Sequence, residues 1–276
     1  MRLIRDVTEV RASRKGVVGL VPTMGALHDG HLELIRKSRS ECDTTIATIF
    51  VNPTQFAPGE DFERYPRQLD RDAELAEGAG CDVLFVPDVD TVYPRKTTWI
   101  DVEEVTELFE GAHRPGHFRG VATVVAKLFL MCLPDRAYFG LKDLQQCAVI
   151  RRMVEDLMFP IELRFVETVR EPDGLAMSSR NRYLSAEQRK VAAELYRTIR
   201  SAADRLGGSG TVSEDADRIL AAARAHLEER GFQVDYLDLV DPETMRPTRA
   251  TLSGYRVVVA AKLGDTRLID NVPIID

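Results

Sequence analysis

Cysteine is scarce in this chain and poorly spaced for chemistry. The four thiols, Cys42, Cys81, Cys132 and Cys147, include no pair at metal-finger or redox-motif spacing, which argues against a zinc module or a dithiol oxidoreductase. No window approaches the ~20 apolar residues needed to span a bilayer, and the opening MRLIRDVTEVRASRKG has no apolar core of signal-peptide type. A membrane partner is therefore not expected, and reduced thiols in a cytoplasm are the simplest reading. Positive charge is also in deficit. Lys and Arg number 37 against 44 Asp and Glu, a formal charge of -7. A chain of this balance is poor at condensing onto a polyphosphate backbone, so no nucleic-acid partner is expected. Net charge leaves one local basic pocket for a small polyphosphate open. Repeats and long low-complexity tracts are missing, as are a Ser–His–Asp order and a reactive-cysteine motif, so no covalent protein nucleophile is expected.

What is present is an ordinary globular composition, 44% apolar and 29% charged over 276 residues. This length predicts one large domain and a smaller one. Short apolar runs read as buried parallel strands at Val17–Pro22, Thr45–Val51, Val83–Val86, Ala137–Phe139 and Ile161–Val166. Helical patterns lie between them, at about 30–41, 67–79, 120–132 and from Leu141 to about Leu157. This alternation predicts an α/β fold with a Rossmann-like, doubly wound parallel sheet over residues 1–169. The texture changes near Val169. Two helical stretches, 185–206 and 213–230, flank a GGSG linker and are followed by strands at Val234–Val240, Tyr255–Ala261 and near 267–272. Residues 170–276 thus read as a smaller α+β domain.

Five segments carry candidate chemistry. The first, from Pro22 to His31 (PTMGALHDGH), sits where a strand passes into a helix. Ligands bind at that edge of an open α/β sheet, and helix N-terminal amides favour anions there. His28 and His31 are three residues apart and can share one face; as donors they could stabilise charge growing on an attacked phosphate. The second is Phe50–Phe56, in which Gln55 offers an uncharged amide suited to a hydroxyl or carboxylate. In the third, Arg114, His117 and Arg119 either clamp a leaving pyrophosphate or line a solvated loop. In the fourth, Gly140, Lys142 and Asp143 could meet phosphate and ribose with Gln146 one turn further on, or Lys142 and Asp143 form a surface ion pair. The fifth, Met177–Ser178–Ser179–Arg180, follows Glu171–Gly174, which reads as a mobile loop able to close over a triphosphate.

In this order the segments resemble the pantothenate synthetase (pantoate–β-alanine ligase) family, within the nucleotidyltransferase superfamily marked by His-x-Gly-His. The elements PTMGALHDGH, NPTQF, RPGHFRGVATVV, KDLQQ and MSSRNRYLS carry the likeness. The resemblance implies an ATP-dependent, AMP-forming ligase that joins pantoate to β-alanine through a pantoyl-adenylate, with Mg2+ accompanying ATP, as a homodimer. It implies His31, His28 and Lys142 as catalytic groups. ATP would be bound by Met24, Gly25, Ala26, Leu27, His28, Asp29, Gly30 and His31. Gly140, Leu141, Lys142, Asp143, Val169, Met177, Ser178, Ser179 and Arg180 would complete that site. Gln55 and Gln146 would hold pantoate, Gln55 would border β-alanine, and Asp72 would help hold a metal. Two positions depart from the family pattern: Ala57, usually Gly, and Leu141, usually Glu. A plain adenylyltransferase, a tRNA synthetase and a nucleotide-sensing module are the alternatives. The first gives no reason for paired Gln55 and Gln146, the second is disfavoured by a short, acidic chain with no evident RNA-binding appendix, and the third needs the histidines to be incidental.

Overall fold

The strand patterns form two sheets among the described residues, which in this computed structural model are 1–57, 59–207 and 213–275. The chain divides into two compact units. One comprises residues 1–140 with 149–167, the other residues 141–148 with 168–276.

The first unit is built on a parallel sheet of six strands. They are β1 (Arg2–Ile4), β2 (Val18–Thr23), β3 (Thr44–Ile49), β4 (Val83–Phe85), β5 (Arg136–Gly140) and β6 (Glu162–Val166), in the order β1-β4-β3-β2-β5-β6. Nearly every residue of β2 and β3 is buried, as expected for parallel strands covered on both faces. Hydroxyls pin their register: Thr23 Oγ1 donates to Thr48 O at 2.6 Å, and Thr48 Oγ1 accepts from Thr23 N at 3.2 Å. After β2 the chain adds β3 and β4 on one side, then β5 and β6 on the other. The carboxyl ends of β2 and β5 therefore mark the topological switch point, where such sheets bind ligands. The edge strand β1 and the helix Val7–Ala12 are additions to the sequence reading. Only Ile4 of β1 is buried, so the strand has no apolar period to detect.

The second unit has an antiparallel sheet, β7 (Gln233–Val240), β8 (Arg256–Leu263) and β9 (Thr266–Pro273). Its core joins Leu195, Ile199 and Leu206 to Leu220, Leu227, Leu239, Val257 and Val259. The single helix expected over 185–206 is two, Ala186–Ala192 and Glu194–Gly207. Ser185 starts the first through a reciprocal cap with Gln188. Gly208–Gly210 of the GGSG linker lie outside the described residues.

Candidate active site

The loop leaving β2 is held in an unusual path by buried groups. Gly25 and Ala26 both have left-handed backbone, with φ of +81° and +51°. A Cβ on Gly25 would press at 3.0 Å on Asp72 Oδ2 and on Ile49 Cγ2, and the left-handed backbone there favours glycine. Asp72, in the first turn of the helix Leu69–Gly78, is 2% exposed. Its two oxygens accept from Ala26 N and Leu27 N, each at 2.8 Å. The Asp72 carboxylate thus anchors the backbone of this loop.

The loop ends in a reciprocal cap made of two imidazoles. His28 Nδ1 accepts from Gly30 N at 3.2 Å, and His31 Nδ1 accepts from His28 N at 3.4 Å, at the start of the helix Asp29–Glu41. The ring centroids are 4.1 Å apart. A nitrogen that accepts from an amide carries no proton, so in each neutral ring the proton sits on Nε2. The backbone thus fixes both rings with Nε2–H as the donor. Spacing placed the two histidines together; the cap explains how they are oriented.

Beyond β3, Asn52 is the hub of the second segment and is 1% exposed. Its Nδ2 donates to Gln55 Oε1 and to Gly120 O, both at 3.1 Å. Its Oδ1 accepts from Thr54 N, Thr54 Oγ1 and Tyr93 OH. Gln55 is thereby fixed with its Nε2 end 3.0 Å from the thioether sulfur of Met24, a weak acceptor that a substrate oxygen would improve on. A Cβ on Gly120 would meet Thr54 O at 2.4 Å, so the helix His117–Cys132 lies flush against this turn. Sequence reading missed Asn52. The available signal was an Asn directly before Pro53 in a turn, where its side chain commonly bonds the following backbone.

In the third segment Arg114 and His117 are partly buried, while Arg119 is exposed. Arg114 makes a two-point pair with Glu60, both bonds at 2.7 Å, and reaches Gln55 O at 3.3 Å. Burial opposes ionisation of Glu60, but the Arg114 guanidinium outweighs it and holds the carboxyl below its usual range. His117 Nδ1 bonds Gln55 O at 2.8 Å, and its Nε2 lies 3.1 Å from Arg114 Nη1. Burial, aided by the Arg114 charge, pushes His117 down to about 4. It is therefore neutral at pH 7, and the network braces the Gln55 backbone. Arg119 stacks over Trp99 at 5.0 Å and pairs with Asp101 at 3.3 Å.

Gly140 ends β5 in the first unit, and the remaining candidates belong to the second. Leu141–Asp143 form one tight turn leading into the helix Leu144–Asp156. Lys142 Nζ lies 3.8 Å from Asp143 Oδ1. Gln146 is half-buried on the first turn of that helix. Residues 169–177 form a short hairpin. Met177 N donates to Val169 O at 3.0 Å and Glu171 N to Leu175 O at 2.8 Å, and Arg189 holds Asp173. Ser178 Oγ accepts from Arg180 N at 3.2 Å and starts the turn Ser179–Tyr183. The four cysteines are buried thiols. Burial pushes Cys81 up to about 11 and Cys132 up to about 12, which removes both as nucleophiles at neutral pH.

Comparison with known proteins decides the family. The model of the pantoate-beta-alanine ligase family matches residues 1–273. The chain belongs to this family. A pantothenate synthetase of Thermus thermophilus is 51% identical over 278 residues, covering 99% of both chains. One from Acidobacterium capsulatum is 53% identical over 92% of this chain and 85% of its own. A crystal structure of pantothenate synthetase from Thermus thermophilus superposes with a TM-score of 0.94 at 50% identity over the full length of both chains. A Francisella tularensis pantoate-beta-alanine ligase, solved with beta-gamma ATP and beta-alanine, has a TM-score of 0.81 at 34% identity, covering 99% of this chain and 97% of its own. The Rossmann-like parallel sheet with its smaller antiparallel partner is thus the fold of pantoate–β-alanine ligases. The two departures from the family's sequence pattern fall where the backbone makes the contact. Ala57 O accepts from Glu60 N at 3.1 Å, and Leu141 O accepts from Asn271 Nδ2 at 2.8 Å.

Proposed function

We propose that this chain condenses pantoate with β-alanine at the expense of ATP, releasing pyrophosphate and AMP by way of pantoyl-adenylate. The whole-length match to the pantoate–β-alanine ligase family carries this reading. A carboxylate is a poor acyl donor, because its leaving group would be oxide. Attack of the pantoate carboxylate on the α-phosphorus expels pyrophosphate and installs AMP as the leaving group. The β-alanine amine then attacks the acyl carbon and AMP departs. Neither step needs a protein nucleophile, so the protein supplies position and charge stabilisation.

In this reading Met24 to His31 bind ATP, and the Nε2–H of His31 donates to the α-phosphate as its charge grows. His28 supports it from the same cap. Gln55, oriented by Asn52, and Gln146 hold pantoate, and Gln55 borders β-alanine. Gly140 to Asp143 and Val169 contact the adenosine side. Met177 to Arg180 contact the phosphates, and Lys142 supplies a point charge. Magnesium would come with the nucleotide and would offset its phosphate charge. Among the described residues no group of three or more His, Cys, Asp or Glu side chains could hold a metal, and Asp72 is engaged by the loop. A cation carried in on ATP needs no such cluster. A homodimer and a cytoplasmic location belong to the same reading. Among the described residues, no helix is long and apolar enough to cross a membrane.

The test is a steady-state assay of AMP release by the purified chain. AMP is expected only when pantoate and β-alanine are both present. Pyrophosphate release that needs a mononucleotide acceptor instead would make the chain a plain adenylyltransferase.

A further inference from the structure

Two buried polar residues lie side by side on β9, a strand that carries no motif noted in the sequence. Asn271, near its end, is 2% exposed, and its side-chain amide is bonded at both ends. Nδ2 donates to Leu141 O at 2.8 Å and to Lys142 O at 3.1 Å, using both of its hydrogens. Oδ1 accepts from Arg256 Nε at 2.5 Å, which fixes which end of the amide faces the turn. The turn Leu141–Asp143 thus has its carbonyls held from a strand about 130 residues further along the chain.

The preceding residue does a parallel job. Asp270, 3% exposed, receives Arg170 Nη1 at 2.6 Å and Nη2 at 3.0 Å. The same guanidinium donates to Gly174 O at 3.1 Å and Asn271 O at 3.3 Å, and stacks on Tyr196 at 4.0 Å. Adjacent residues of a strand point to opposite faces. Asp270 and Asn271 can therefore hold two segments at once: the hairpin that leads to Met177–Arg180, and the turn that carries Lys142. A fixed spacing between two nucleotide-contacting segments is what a reaction dominated by positioning requires.

We propose that Asn271 is a positioning residue for the ATP half-reaction, holding the Leu141–Lys142 turn so that Lys142 and Asp143 meet the nucleotide in one geometry. This rests on the assignment of that turn to ATP. Only a neutral amide satisfies the arrangement. An aspartate has the same shape, but it would set a carboxylate oxygen against two carbonyl oxygens and remove both donors.

The experiment compares N271D, N271A and K142A with the parent full-length chain. Titrated ATP gives the dissociation constant, steady-state rates give KM for pantoate and β-alanine, and each melting temperature is recorded. N271D and N271A are expected to weaken ATP binding about tenfold or more, with N271D the worse, while both acid and amine KM values move less than threefold. K142A should also weaken ATP binding. If K142A binds ATP like the parent, the assignment of the turn to nucleotide fails, and the proposal with it. If K142A weakens ATP but both Asn271 variants bind it normally, only the positioning role is overturned. Loss of all three substrates in parallel, or failure of both Asn271 variants to fold, would make Asn271 a residue of the fold alone and would also overturn the proposal.

Discussion

His31→Ala is expected to slow adenylate formation by about 100–1000-fold, the usual effect of deleting one donor aimed at developing charge. ATP affinity should fall far less, because the donor meets its strongest partner in the transition state and not in the ground state. The variant should also lose some stability. His31 Nδ1 accepts from His28 N in the reciprocal cap, and removing a cap costs about 1 kcal/mol. Single-turnover adenylate formation, followed beside the melting temperature, separates the two effects. A slightly lower melting temperature with parental adenylation would leave His31 a helix cap and nothing more.

Asp72→Ala should produce the largest loss of stability. Two loop amides would be left buried without their charged acceptor, at a cost of about 3–5 kcal/mol. For a chain of this size that lowers the melting temperature by roughly 10 °C. Activity of the protein that remains folded should also fall, because Ala26 has little reason to keep its left-handed backbone once the carboxylate is gone. Asp72→Asn, which keeps one acceptor oxygen, should lie between. The magnesium dependence of the rate distinguishes the loop anchor from a metal ligand. The anchor predicts a parental magnesium curve in Asp72→Asn with reduced stability. A shifted magnesium curve at parental stability would restore the metal role.

Both residues bear on how much the sequence discloses. The strands of the parallel sheet were legible because burial on both faces writes them as unbroken apolar runs, as in Val18–Thr23 and Thr44–Ile49. His28 and His31 were legible because a helix start brings neighbours three apart onto one face, and that spacing is local. What could not be read are the residues that work through distant backbone. Asp72 bonds amides 45 and 46 positions away, and Asn271 bonds carbonyls 129 and 130 away. No local pattern records such partners. The same holds for Arg114, whose charge suggests a phosphate clamp but whose partner, Glu60, lies 54 positions upstream. The break at Ala193 between two helices was hidden for a different reason: Ala192 and Ala193 favour helix, and Ala193 itself keeps right-handed helical backbone.

In the proposed reaction a free acyl-adenylate forms before the amine is used. The direct test is exchange of labelled pyrophosphate into ATP with pantoate present and β-alanine absent. The stepwise account predicts exchange that depends on pantoate and is lost in His31→Ala. Exchange that appears only after β-alanine is added would contradict it.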